Sequence, residues 1–597
     1  MLDNCMKTEL LNIAKGQCLT DVLPAIPTNT IFDKTITGCG ATHSEIVNAA
    51  RNSIIIEPNI PVIIGKKADH PFLFAVYEGI TKEDVKAYLA GEHDGYRKII
   101  TTPEGFDKKV LPAMRELEIS VYKDYFLLFD ECEKAIQDVG YRGDIYLPVE
   151  DFFKFENKAM VSATPIIPSD PRFEENGFKV LKLVPTYDSR IDLTLCTTNN
   201  TVAVMRKLLK RLENETVFVF LNSTETILNL ILALKLQGRS KVFCSEKSVR
   251  KLKQMNFTDA SETLDELASV NFLTSRFYAA VDIKLDYKPH VIILTDVLRA
   301  PFSAIDPQTE VVQAIGRFRN GVARAYHIAN TSDSLQCQTR EALERRLMSE
   351  EHIYNQILQI QPDGEDEVQA RFQALNGMDY KRFVTRDGKR NHFMWDNAWA
   401  DEQIKAYYRY PSTLTAAYKT APFQLQVCTA HYPITDADRL RREKAKMNTR
   451  ELWREVVVQL TKLQTGHSDI EPAFLQEELG NEFATIVQAF TILGAKRLEE
   501  LEYSRSKIEA AMTRAEENVL LTAPKMQNAV YAQYKPGDLV ACSEINNFLH
   551  RLIVNNGIPF KGRVDRKVVK LFFEIDDDTK RLGGQKAFLL GKKMFEF

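Results

Sequence analysis

Tyr125-Phe126-Leu127-Leu128-Phe129 is apolar at every position and runs straight into Asp130-Glu131-Cys132-Glu133. So short a run, with no polar alternation, reads as a strand buried on both faces, as strands are in a parallel sheet. Three further stretches have the same form: Ser53-Ile54-Ile55-Ile56-Glu57-Pro58, Lys98-Ile99-Ile100-Thr101-Thr102-Pro103 and Met160-Val161-Ser162-Ala163-Thr164-Pro165. Helix-like segments separate them. Strands that alternate with helices and end in polar side chains predict a parallel α/β sheet with its chemistry at the strand ends.

The stretch Thr35-Ile36-Thr37-Gly38-Cys39-Gly40-Ala41-Thr42 follows Ile31-Phe32 and precedes a helix-like segment from Ser44 to Arg51. It matches the phosphate-binding pattern G-x-x-x-x-G-K-[ST] with two departures: Thr35 replaces the first Gly and Ala41 the Lys. Gly38 and Gly40 let the backbone turn tightly and aim its N–H groups at a triphosphate, so residues 37–42 form the expected cradle. Thr42 would place its hydroxyl on Mg²⁺. Asp130 would hold the same ion, and Glu131 would orient the attacking water. ATP and Mg²⁺ are therefore the expected ligands.

The missing Lys removes the charge that reaches the β- and γ-phosphates, and two readings stay open. In one, a displaced cation from Lys34 or Lys66 serves an active ATPase. In the other, a degenerate site clamps nucleic acid without hydrolysis. The first is preferred, because Asp130, Glu131, Gln313 and Arg317 are all retained. Taken alone, Lys34 reads as a plain surface lysine.

A chain of 597 residues is too long for one core, so several domains are expected. The net charge of −3 confines any nucleic-acid binding to local patches. The nine cysteines are scattered without a C-x-x-C pair, which argues against a zinc site or a disulfide framework and for a reducing compartment. No signal peptide and no membrane span are expected.

A second α/β unit follows. Its elements are Thr216–Ser223, Lys241–Ser245, Asn271-Phe272-Leu273-Thr274-Ser275-Arg276 continuing to Ala280-Val281-Asp282-Ile283, Val291–Thr295, and Gln313-Ala314-Ile315-Gly316-Arg317-Phe318-Arg319. The order T-G-C-G-A-T, T-T-P-E-G, D-E-C-E, S-A-T-P, then Q-A-I-G-R-F-R resembles superfamily 2 helicases of the DEAD/DEAH-like kind, such as those carried by bacteriophages and mobile elements. The resemblance covers roughly the first half of the chain and implies two tandem RecA-like domains.

It also implies roles. Arg317 becomes the arginine finger and Gln313 a catalytic partner. Asp282 and Arg319 join the nucleotide site, although Arg319 lies nearer to Arg317 than the usual final Arg. Thr102, Ser223, Thr274 and Ser275 touch nucleic acid, and Ser162 and Thr164 couple the two sites.

Beyond residue 335 the alternation stops. Tyr380, Lys381, Arg382, Phe383, Arg386, Lys389, Arg390, Phe393, Trp395, Trp399, Lys405, Tyr407, Tyr408, Arg409 and Tyr410 interleave bases with rings. That composition suits a single strand, but a helical subdomain with aromatic packing ranks ahead of it. A charged helix is expected from Asp436 to Leu463, with Arg439, Arg441, Arg442, Lys444 and Lys446 near its start. Further helices are expected from Glu471 to Leu521. The tail reads as a helix through Ile545 and Leu552, a second helix from Arg566 to Phe573, and a hairpin over Asp576–Leu582 turning at Gly583-Gly584. This resembles a winged-helix module, with Lys561, Arg563, Arg566, Lys567 and Lys570 on or before the second helix. A protein-docking role fits that module equally.

The expected architecture is α/β: RecA-like domains at 1–172 and 173–335, a mainly helical accessory domain at 336–530, and a winged-helix-like module at 531–597. The expected function is an ATP-dependent helicase or translocase on nucleic acid, DNA ahead of RNA, in a bacterial or phage-infected cytoplasm. Replication or recombination proteins are the expected partners. The alternative is a catalytically degenerate clamp or replication-complex adaptor.

Overall fold

The computed structural model describes residues 6–279, 281–432, 435–444, 447–464, 472–560, 564–575 and 580–595. Ala280, Lys446, Glu471, Lys561, Arg563 and Asp576, on which expectations above rest, lie outside them. The chain divides into two compact units, Met1–Ala437 and Asp438–Phe597.

The first unit contains two entirely parallel eight-stranded sheets. The first sheet is built from β1 (Thr8–Ile13), β2 (Thr30–Asp33), β3 (Asn52–Ile56), β4 (Phe74–Val76), β5 (Lys98–Thr101), β6 (Tyr125–Asp130), β7 (Asn157–Ser162) and β8 (Lys179–Pro185), in the order β1-β8-β2-β7-β6-β3-β5-β4. The second contains β9 (Ile191–Thr198), β10 (Val217–Phe220), β11 (Ser240–Phe243), β12 (Ala260–Ser261), β13 (Val270–Leu273), β14 (His290–Thr295), β15 (Arg324–Ala329) and β16 (Phe423–Ala430), in the order β12-β11-β13-β10-β14-β15-β9-β16. Two doubly wound sheets in succession are the tandem RecA-like architecture expected above.

Unbroken apolar runs formed the central strands because helices cover both faces of each sheet. Ile54, Ile55, Ile56, Leu127, Leu128 and Phe129 are all 0 % exposed. Alternate side chains enter different cores: Ile54, Ile56, Leu127 and Phe129 pack on one face, Ile55 and Leu128 on the other. Each such residue contributes about 1.5–3 kcal/mol by leaving water.

The domain limits need correction. β8 pairs with β1 and β2, so the first lobe extends past residue 172. β16 pairs with β9 over eight residues, so the second lobe takes its edge strand from far beyond residue 335. The segment 336–530 is likewise not one accessory domain. Its helices Arg340–Gln359, Glu365–Gly377, His392–Tyr407 and Pro411–Lys419 belong to the first unit. Its aromatic residues are mostly core, as the packing reading held: Tyr380, Phe383, Phe393, Tyr408 and Tyr418 are all buried. Phe393 joins the core of the first lobe, and Tyr408 and Tyr418 join that of the second, so the segment from His392 to Lys419 braces both.

In the second unit, helices Thr449–Gln464, Pro472–Glu500 and Arg505–Leu521 precede a small antiparallel sheet of β17 (Leu539–Ala541), β18 (Phe573–Ile575), β19 (Lys580–Leu582) and β20 (Gln585–Lys593). Leu479, Ile486 and Phe490 are buried. The hairpin turns at Gly583 (φ +57°) and Gly584 (φ +84°), a double positive-φ pair that glycine accepts without a steric penalty. The expected helix from Arg566 to Phe573 shrinks to Arg566–Val569, because Phe573–Ile575 is drawn into pairing with β20. Among the described residues no helix is long and apolar enough to cross a membrane.

Gly105 closes the first turn after β5. A β-carbon there would fall 2.6 Å from Thr101 Oγ1 and 3.2 Å from the Val76 carbonyl. Gly105→Ala is therefore expected to destabilise the first unit by about 1–3 kcal/mol, read as a lower midpoint in thermal unfolding.

Candidate nucleotide site and nucleic-acid cleft

Strands β2, β7, β6 and β3 are consecutive neighbours, and their carboxyl ends lie level. Asp33 pairs with Ser162, Asp130 with Val161, and Ile56 with Phe129. The residues that follow these ends therefore share one edge. They are Lys34 and its loop, Ser162 to Thr164, Asp130 to Glu133, and Glu57.

The loop after β2 keeps the shape of a glycine loop without its first glycine. Thr35 sits at φ +52°, costly for a β-branched residue, and is held there by Asp33 Oδ1, which accepts from Thr35 N (2.9 Å) and Thr35 Oγ1 (3.1 Å). Gly38 and Gly40 have φ of +80° and +89°, and Gly40 precedes the helix Ala41–Ile46. The Cys39 carbonyl is pinned by Leu19 N at 3.0 Å. Ala41 is 3 % exposed and packs in an apolar cluster with Ile46 and Ile55. Thr42 donates from Oγ1 to Asp130 Oδ2. Hydroxyl and carboxylate thus adjoin, the hard oxygen pair that Mg²⁺ accepts, so these residues fit the expected ion.

Lys34 is not a surface lysine. Its side chain is 9 % exposed, and its Nζ lies 3.4 Å from Asp130 Oδ1 and 3.3 Å from Glu131 Oε1. Burial opposes its charge, but Asp130 and Glu131 outweigh that and hold its pKa well above the usual lysine value. Lys66 lies half-buried on the helix Ile60–Asp69 and, among the described residues, makes no ion pair with these acids.

The second lobe contributes the helix Glu310–Gly316 and the turn after it. Gln313 Nε2 donates to Glu131 Oε2 (3.0 Å), Glu133 Oε1 (3.1 Å) and Thr164 Oγ1 (3.2 Å). Arg317 Nη2 donates to Gln313 Oε1 at 2.7 Å and lies 3.8 Å from Glu131 Oε1. Asp282 pairs with Arg319 at 2.6 Å and lies 3.8 Å from Arg317. Backbone contact is equally close. A β-carbon on Gly316 would fall 2.5 Å from Thr37 Cγ2, and one on Gly38 would fall 3.2 Å from Arg319 Nη1. Gln313 and Arg317 thus meet Glu131, which was predicted from a separate motif, in direct buried contact.

The electrostatics divide the acids. Burial pushes Glu131 up, but Lys34 and Arg317 pull it down to about 2. Burial, with Glu131 beside it, pushes Glu133 up to about 8. Burial and the charges of Asp130 and Glu131 raise Glu57. The site therefore holds ionised and protonated carboxyls side by side. Ser162 is buried, and its Oγ accepts from Thr164 N at 2.9 Å, which fixes Thr164 toward Gln313.

The nucleic-acid candidates lie elsewhere on the lobes. Thr102 is buried and caps the turn Pro103–Gly105 by accepting from Gly105 N at 3.0 Å. Ser223, Thr274 and Ser275 stand at the carboxyl ends of the adjacent strands β10 and β13 and line a cleft of about 330 Å³. Ser223 also caps its helix, accepting from Thr226 N at 3.2 Å. Ser245, Ser248, Lys251, Arg276 and the 64 %-exposed Phe302 share that cleft. The sequence reading missed these five, along with Glu57 and Glu133. For Ser245 the signal was present, since a Ser after an apolar strand and before a helix repeats the pattern of Ser223.

No protein-family model matches the sequence, and no curated protein matches it. Solved structures that align with the chain include DEAD-box and other helicases. S. cerevisiae Dbp5 bound to RNA and ADP BeF3 aligns at 16 % identity and a TM-score of 0.34, over 51 % of this chain and 79 % of that one. DEAD-box helicase Mss116 bound to ssRNA and UDP-BeF aligns at 11 % and 0.36, over 82 % and 89 %. RecG bound to a three-way DNA junction aligns at 13 % and 0.31, over 70 % and 47 %.

Glu133 supplies a test of this electrostatic arrangement. Its folded-state pKa, about 8, lies above its ordinary value of 4.5. Its contribution to stability is then complete below about pH 4.5 and is lost as the pH rises through about 8. Glu133→Gln is expected to flatten the fall in thermal midpoint between pH 5 and 8. A variant whose midpoint tracks the unmutated chain across that range would contradict the assignment.

Proposed function

We propose that the chain is an ATP-driven helicase or translocase on nucleic acid, with ATP bound between the two RecA-like lobes. One observation carries this reading: Gln313 and Arg317 from the second lobe meet Glu131 from the first, which Lys34 links to Asp130, in a single buried cluster. Buried charges from two lobes gain nothing in stability over apolar packing, so their convergence calls for a chemical reason.

The loop 37–42 would turn its N–H groups to the phosphates, and Thr42 and Asp130 would hold Mg²⁺. When bound, Mg²⁺ would neutralise charge on the phosphate oxygens. Glu131, ionised at neutral pH, is an acceptor that can hold an attacking water in line with the γ-phosphorus. Arg317 stands ready to stabilise negative charge arriving from the opposite lobe. Gln313 touches Glu131, Glu133 and Thr164 together, so a shift of the second lobe would be felt at the water-holding acid and at the Ser162–Thr164 turn. The lobes would close on ATP and open after hydrolysis.

The strand would lie along the hydroxyl-lined cleft of the second lobe. Ser223, Thr274 and Ser275 would take phosphate oxygens, Lys251 and Arg276 would supply charge, and Phe302 would offer a ring to a base. Thr102 would touch the same strand from the first lobe. The non-hydrolysing clamp is supported by Ala41 alone, because it leaves the loop without its usual cation.

The full chain is expected to hydrolyse ATP faster with single-stranded DNA or RNA than without. Glu131→Gln is expected to lower that rate by about 10²–10⁴ and Arg317→Ala by about 10³ or more, each with nucleotide binding retained. Absence of hydrolysis by the unmutated chain, with nucleic acid still bound, would favour the clamp. Separately, Lys251→Ala/Arg276→Ala is expected to weaken single-strand binding and to reduce the slope of log K against log salt by about 1.4. An unchanged slope would exclude this cleft as the backbone contact.

A further inference from the structure

Resting on the ATPase reading above, we propose that Lys34 is the triphosphate-contacting cation of this site. It would replace, from the end of a strand, the lysine that a phosphate loop ordinarily carries at the position of Ala41. Four observations lead to it.

Position 41 is committed to packing, since Ala41 is 3 % exposed within an apolar cluster. Lys34 is rooted in the sheet instead: it directly follows β2, and its N–H donates to the Ser162 carbonyl at 2.8 Å. Its side chain ends at the catalytic acids, where the phosphates and Mg²⁺ would meet. Finally, the ammonium is held loosely. Its contacts of 3.3 and 3.4 Å exceed the ~2.7–2.9 Å of a tight charge-assisted hydrogen bond. Of its three N–H donors, two are engaged among the described residues.

A buried lysine beside two carboxylates has a second explanation, that of an internal counterion that simply makes burial of Asp130 and Glu131 tolerable. The two differ when nucleotide arrives. A counterion stays with the acids, and the phosphates then face Asp130 and Glu131 with only the metal and the second lobe's arginines to offset them. A phosphate ligand turns from the acids to the β- and γ-phosphate oxygens and frees Asp130 for the metal. The spare donor and the long contacts favour the second behaviour.

The test uses the full chain and two readouts, ATP hydrolysis and equilibrium binding of ATP and of AMP. Lys34→Met is expected to lower kcat/KM for ATP by about 100-fold or more and to weaken ATP at least 10-fold while leaving AMP within about threefold, because AMP lacks the β- and γ-phosphates. Lys34→Arg is expected to recover part of the loss. Lys34→Met leaves two buried carboxylates with less positive charge and could fail to fold. The comparison is therefore repeated as Glu131→Gln against Lys34→Met/Glu131→Gln, read by ATP binding alone, with the double variant expected to bind at least 10-fold more weakly.

Hydrolysis by Lys34→Met within threefold of the unmutated chain would overturn the proposal and leave the ATPase reading intact. Equal ATP binding by Glu131→Gln and the double variant would do the same. An unmutated chain that neither binds nor hydrolyses ATP would overturn both.

Discussion

Everything at the centre of the first unit depends on neutralising Glu131. A carboxylate that is 7 % exposed and flanked by Asp130, Glu133 and Glu57 is tolerable only if cations reach it. Lys34 arrives from the same lobe and Arg317 from the other. Part of the compensation therefore comes from the other lobe. The remaining acids are accommodated differently: Glu133 and Glu57 are pushed toward the protonated form, so they add hydrogen-bonding capacity without adding charge.

The parallel sheets make this convergence possible. Successive parallel strands deliver their carboxyl ends to one edge, and four neighbours in the first sheet present the loop, the acids, the Ser162–Thr164 turn and Glu57 at one level. The second lobe meets that edge with a helix end, and the fit is close enough that a β-carbon at Gly316 would collide with the Thr37 side chain. Thr35 shows how the loop geometry persists when the usual residue is lost. An αL position suited to glycine is occupied by threonine, with two hydrogen bonds to Asp33 offsetting part of the strain.

The segment beyond residue 335 alters how the lobes are connected. Its aromatic side chains enter both cores, and Asn397 Nδ2 donates to the Gln137 carbonyl of the first lobe at 3.1 Å. Gln137 in turn donates to Thr309 Oγ1 of the second lobe at 2.7 Å. The two lobes are thus joined on this side by side-chain packing and hydrogen bonds as well as by chain connectivity.

The sequence by itself determined the two parallel sheets, the order of their motifs and the place of Asp130 and Glu131 at a strand end. Unbroken apolar runs between helices have one stable solution, and strand ends must lie at the sheet edge. It also favoured packing over base stacking for the aromatic residues of the stretch around 380–410, most of which pack against the cores. Three things were decided only by tertiary structure. The lobe boundaries moved because β8 and β16 pair with strands remote in sequence, and such pairing leaves no local trace. Lys34 changed from a surface residue to the buried partner of two acids, since its surroundings come from strands almost a hundred residues downstream. Glu133 and Glu57 acquired raised pKa values because burial and neighbouring charge are properties of the assembled edge, which no single strand contains.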